Sequence, residues 1–208
     1  MRSLRATGIA LALGLLAGSA VPAEGSERVV VALGDSLTAG YGVAPEEAWP
    51  ALVAARLKRE GYPYRVVNAG VSGDTTAGGL RRVEWVMRSR PEVAVVALGA
   101  NDGLRGLGTS EMEANLLAIV ERLQAGGARV LVAGMEVPPN YGAAYTRAFR
   151  EVFPDVARRT GAALMGFLLD GVAADPRLNL SDGIHPNAAG HRTIAERLWP
   201  HLIALLTR

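Results

Sequence analysis

The chain has 208 residues, half of them hydrophobic and a fifth charged, which suits one folded domain with a sizeable core. Setting aside Arg2 and Arg5 takes the basic residues from 22 to 20, equal to the 20 acidic ones, so the formal charge drops from +2 to zero. That leaves no excess positive charge for a nucleic-acid partner, and the absence of cysteine excludes disulfides, thiolate zinc sites, cysteine nucleophiles and lipoprotein anchors together.

Arg2 and Arg5 precede an apolar stretch over residues 8–21, and small residues follow at Gly18-Ser19-Ala20 and Val21-Pro22-Ala23. This is the layout of a secretory signal peptide covering residues 1–23, with cleavage after Ala23, or alternatively after Ala20. The apolar stretch is short for a transmembrane helix. No stable membrane anchor is therefore expected after cleavage; retention as an amino-terminal anchor is the alternative. Export without disulfides fits a periplasmic or secreted bacterial protein. Residues 24–208 then form a single domain.

Five apolar, strand-like runs follow, at residues 29–33, 65–68, 93–98, 129–133 and, more weakly, 162–167. Helical patterns alternate with them. The first spans residues 46–60, with Trp49, Leu52, Val53 and Leu57 on one face and Gly61 as the stop. The second spans residues 76–88 and aligns Leu80, Val83 and Met87. The third opens on a capping box of Ser110 and Glu113 and carries Met112, Leu116, Ile119, Val120 and Leu123. The fourth covers residues 143–159 with Pro154 expected to bend it, and the last covers residues 187–206 with Pro200 expected to kink or split it. Such alternation predicts an α/β fold, a three-layer αβα sandwich. Its five-stranded parallel sheet takes the flavodoxin-like order 2-1-3-4-5, with helices on both faces.

The unusual polar residues all fall just after strands, where such a sheet gathers them at its carboxyl edge. They are Gly34-Asp35-Ser36, then Ser72-Gly73-Asp74, then Asn101-Asp102, then Asp182-Gly183-Ile184-His185-Pro186. A serine hydroxyl needs an imidazole to take its proton, and a carboxylate to fix that ring's tautomer. Asp182 and His185, three apart in one turn, can supply both. A developing oxyanion needs preorganised donors, which the N–H groups of Ser36 and Gly73 and the side-chain amide of Asn101 can offer.

These four blocks, in this order and spacing, resemble the signature of the SGNH, or GDSL, hydrolases across essentially all of the chain after the leader. Ala48-Trp49-Pro50, Asn101-Asp102-Gly103-Leu104-Arg105-Gly106 and Pro139-Asn140-Tyr141-Gly142 look like its periplasmic thioesterase, arylesterase and lysophospholipase branch. The resemblance implies Ser36 as nucleophile, His185 as base and Asp182 as its orienter. It places Ser36, Gly73 and Asn101 in the oxyanion hole, and implies hydrolysis of acyl esters and thioesters through an acyl-enzyme without a metal or other cofactor. A glycine-punctuated loop at residues 103–108 matches the branch's flexible segment and could close over an acyl chain. Asp35, Leu104, Asn140, Tyr141 and Ile184 are the candidate substrate-binding positions. The expected partner is a small-molecule ester or thioester, and the expected state a monomer.

Plainer readings attach to the other polar groups. Asp35 and Asp102 are expected to bond loop N–H groups, His191 and His201 to be ordinary helix residues, and Trp49 and Trp85 to pack in the core or at its rim. Three rival functions compete with this reading. A carbohydrate O-acetyl esterase is the nearest. A metal-dependent hydrolase using Asp35, Asp102, Asp182 and His185 lacks a dense ligand set. A flavin module lacks stacking aromatics, with only Tyr41 close to the first loop.

Overall fold

A computed structural model describes residues 28–207; the leader expected at residues 1–23 lies outside the described residues. Five strands, β1 (Arg28–Gly34), β2 (Tyr64–Gly70), β3 (Val93–Ala97), β4 (Arg129–Gly134) and β5 (Ala163–Phe167), form one sheet. All pair in parallel, in the order β2-β1-β3-β4-β5. The central pair is apolar on both faces, since every residue of β3 and residues 29–34 of β1 are buried. Such runs carry no polar alternation because helices cover both sides. On one side α3 (Thr76–Met87), α5 (Thr109–Ala125) and α6 (Ala143–Thr160) pack side by side. On the other, α2 (Trp49–Arg59) packs against α7 (Ala188–Ile203).

Several local expectations need correction. The capping box does not form. Helix α5 begins at Thr109 with Gly108 as its cap, so Ser110 lies inside the first turn, and Glu113 reaches Arg159 at 2.6 Å instead. The first helical pattern divides into a tight turn at Pro45–Glu47 and α2 proper, with extended Ala48 between them and Pro50 in the first turn of α2, where its missing N–H costs nothing. Pro200 does not split α7, which runs through it, as α6 runs through Pro154. Trp49 is buried, but Trp85 points outward from α3 at 59% exposure, because Val83 and Val86 take the inward face. His191 is buried on α7, and its Nδ1 accepts the Trp49 N–H at 3.3 Å. Burial pushes this imidazole down to about 4, so it is a neutral packing group.

The sheet's carboxyl edge is built by close backbone approach. Gly34 and Gly70 face each other at the ends of β1 and β2, and the chain after β1 folds directly onto them. A methyl group at Gly70 would sit 2.2 Å from the Ala39 nitrogen, and one at Gly34 would sit 2.0 Å from Thr38 Oγ1. Asn68 Nδ2 donates to the Thr38 carbonyl at 2.9 Å, and Arg82 donates to the carbonyls of both Ala69 and Gly34, at 2.7 and 2.8 Å. Gly70→Ala should therefore cost about 3 kcal/mol in a denaturant titration through backbone displacement. Gly166→Ala, where nothing lies within 4 Å, should change stability by less than about 1 kcal/mol.

Candidate active site

Ser36 opens a four-residue helix, α1 (Ser36–Ala39), immediately past β1. Asp35 caps it, its Oδ1 accepting the Leu37 N–H at 3.0 Å. His185 Nε2 lies 3.0 Å from Ser36 Oγ, and His185 Nδ1 lies 2.7 Å from Asp182 Oδ2. The other carboxylate oxygen, Asp182 Oδ1, accepts the backbone N–H groups of His185 and Ile184 at 3.0 and 2.9 Å. Those backbone bonds, with the imidazole, hold this carboxyl down at about 2. An ionised carboxylate at Nδ1 keeps a proton there, which leaves Nε2 of the neutral ring free to accept from the serine hydroxyl. The turn itself is anchored: Leu180 N–H donates to the His185 carbonyl at 2.7 Å, and Asn187 caps α7 just beyond.

Asn101 comes from a second short helix, α4 (Ala100–Leu104), past β3. Its Nδ2 donates to Asp35 Oδ2 at 3.2 Å, using one amide hydrogen and leaving the other. The backbone N–H groups of Ser36 and Gly73 donate no hydrogen bond among the described residues, so three donors stand unused at this edge. Gly73 has φ +80°, a left-handed conformation that suits glycine, and its carbonyl is held by Arg105 Nη2 at 2.8 Å. Beneath, Asp102 accepts the N–H and hydroxyl of Thr76 at 2.8 and 2.6 Å and ties α4 to α3.

A cleft of 490 Å³ opens beside Ser36 and His185. Asp35, Leu104 and Ile184 line it, together with a wall from the ends of β4 and β5 that includes Val137, Pro139, Phe167 and Leu169. Asn140 and Tyr141 are not among its lining residues. The Tyr141 hydroxyl instead donates to the Leu104 carbonyl at 2.8 Å, and Tyr145 does the same to Leu107 at 2.9 Å. The glycine-rich loop is thus partly helical and braced. Gly103 belongs to α4, and a side chain there would strike Val137 and Phe149. Sequence reasoning missed this wall, the Arg105 contact and the Tyr41 ring, which lies 4.5 Å from the His185 ring. Their signal was position alone, after a strand or within a motif. Among the described residues, no group of three or more His, Asp or Glu is placed to hold a metal ion.

The two carboxylates of the site differ sharply. Burial raises Asp35 from 3.8 to about 6, against the opposing bonds from Leu37 and Asn101. The folded protein therefore holds this proton more tightly than the unfolded chain, so its stabilising contribution is present in acid and is lost as pH rises from about 4 through about 6. Asp35→Asn should then be more stable than wild type at pH 8 by about 1–3 kcal/mol, with the gap closing toward pH 4, in paired denaturant titrations. Its kcat should fall by about 10- to 100-fold as Asn101 loses its charged anchor.

Comparison with known proteins fits this geometry. The GDSL-like Lipase/Acylhydrolase family profile matches residues 32–193. The chain is 41% identical to "Esterase TesA" of Pseudomonas aeruginosa, over 99% of this chain and all of that one. It is 36% identical to "Thioesterase 1/protease 1/lysophospholipase L1" of Escherichia coli K12, over 84% of this chain and 83% of that one. A crystal structure of TesA superposes with a TM-score of 0.83 at 42% identity, covering 86% of this chain and all of that one. With the strand order, four edge blocks and extended similarity in agreement, the chain belongs to the GDSL-like lipase/acylhydrolase family and is a serine-type ester hydrolase.

Proposed function

We propose that Ser36 is the nucleophile, His185 the general base and Asp182 its orienter, in hydrolysis of acyl esters and thioesters through an acyl-enzyme. The observation that carries this reading is the unbroken run of contacts from Asp182 Oδ2 to His185 Nδ1 and from His185 Nε2 to Ser36 Oγ. As Oγ bonds to the acyl carbon, its proton passes to Nε2 and the carbonyl π electrons move onto oxygen. The N–H groups of Ser36 and Gly73 and the free Asn101 amide hydrogen supply donors for that charge. His185 then protonates the departing alkoxide or thiolate, and water repeats the sequence on the acyl-enzyme.

The apolar wall of Leu104, Val137, Phe167 and Leu169 favours a hydrocarbon acyl chain. An acetyl group would leave most of a 490 Å³ cleft unfilled, which makes an acetylated sugar the weaker reading. A leader at residues 1–23 would deliver the enzyme to the periplasm or the medium. No helix of the described residues is long and apolar enough to cross a membrane.

Ser36→Ala and His185→Ala should each lower kcat by on the order of 10⁴–10⁶, since nucleophile and base act as one unit. Retention of a tenth of wild-type activity by Ser36→Ala would sink the mechanism. Asn101→Ala should lose about 10²–10³ in kcat with little change in KM. A pure KM effect would move Asn101 to substrate binding. A p-nitrophenyl ester series from acetyl to palmitoyl should reach its highest kcat/KM well above acetyl.

A further inference from the structure

Tyr41 is a large aromatic residue left 53% exposed, where most large apolar side chains among the described residues are buried. Its hydroxyl has no hydrogen-bond partner among the described residues, and it is absent from the cleft lining. Core packing does not account for it. What it touches is the imidazole of His185, with ring centroids 4.5 Å apart and planes tilted by 42°.

The placement is built by the backbone. Gly40 and Gly42, at φ +82° and +78°, bracket the tyrosine in left-handed conformations. Both are close-packed: a side chain at Gly40 would meet Ala48 at 2.6 Å, and one at Gly42 would displace the Leu180 side chain, 2.4 Å away. The N–H groups of Gly40 and Tyr41 both donate to the Ser36 carbonyl at 3.1 Å, so the loop is tied to the nucleophile's own residue. Leu180, which fills the space over Gly42, also donates its N–H to the His185 carbonyl. The loop that carries Tyr41 and the loop that carries His185 are docked on each other as one unit.

We infer that Tyr41 is a positioning residue for His185, its ring packing against the imidazole while Asp182 holds Nδ1. The contacts to Asp182 and Ser36 hold the ring only through its two nitrogens, on a turn whose Asp182 and His185 side chains remain 37% and 21% exposed. An aromatic ring tilted against the imidazole restricts its rotation and keeps Nε2 aimed at Ser36 Oγ. Its π cloud also favours the imidazolium that forms when the serine proton arrives. The benefit falls on the chemical step, not on binding. The inference rests on the hydrolase reading above.

The test is steady-state hydrolysis of p-nitrophenyl butyrate by Tyr41→Phe, Tyr41→Leu and Tyr41→Ala, with thermal melts to confirm folding and Ser36→Ala as control. Tyr41→Phe keeps the ring and should retain kcat within about twofold of wild type. Tyr41→Leu keeps bulk without a π face and should fall with Tyr41→Ala, each losing about tenfold or more in kcat, with KM within about twofold. Wild-type kcat in Tyr41→Ala, a loss confined to KM, or equality of Tyr41→Leu with Tyr41→Phe would overturn the assignment while leaving Ser36 as nucleophile. Activity surviving in Ser36→Ala would instead overturn the hydrolase mechanism itself.

Discussion

The contact between Ser36 Oγ and His185 Nε2 joins residues 149 positions apart, and much of the fold can be understood as what brings those two atoms to 3.0 Å. Ser36 is set by the end of β1, where Gly34 and Gly70 let the following turn lie directly on the sheet. Arg82 clamps the carbonyls on which that turn rests. His185 comes from beyond the last strand, on a turn closed by Leu180, capped by Asn187 and pinned by the bridge between Asn179 and Pro186. A parallel sheet sends every strand's carboxyl end to the same edge, so residues far apart in sequence meet there without long loops.

Two carboxylates 147 positions apart in the chain are driven in opposite directions by their surroundings. Asp182, on a surface turn with two backbone donors and an imidazole, stays ionised and can fix the tautomer of His185. Asp35 is fully buried, and desolvation raises it toward neutrality even though it anchors both the α1 cap and the Asn101 amide. Its charge is costly to bury, yet the same carboxylate is what holds the Asn101 side-chain amide in place.

The sheet was legible in the amino-acid sequence because buried parallel strands are unmistakable runs of Val, Ala and Leu, and residues 29–33, 93–98 and 130–133 are such runs. The edge blocks were legible because glycine and short polar residues interrupt those runs at each strand end. Helices α1 and α4 were not, since four or five residues are too few to show a period. The capping box at Ser110 failed for a different reason: Glu113 found a tertiary partner in Arg159, which local pattern cannot announce. The role of Tyr141 was likewise hidden. Its place after β4 suggested the cleft, but the approach of α4 to Val137 and Phe149 brings the Leu104 carbonyl within reach of its hydroxyl. The apolar wall from Val137 to Leu169 has no sequence motif, because it is defined by shape and not by chemistry.

The central claim is that a single serine, made nucleophilic by His185, attacks the acyl carbon. Covalent trapping tests it most directly. Wild-type protein treated with an alkyl p-nitrophenyl phosphonate should gain one phosphonyl group by intact mass, mapped to Ser36 by peptide sequencing, and His185→Ala should label far more slowly. A phosphonyl group on a residue other than Ser36, or an active enzyme that takes up none, would contradict the account.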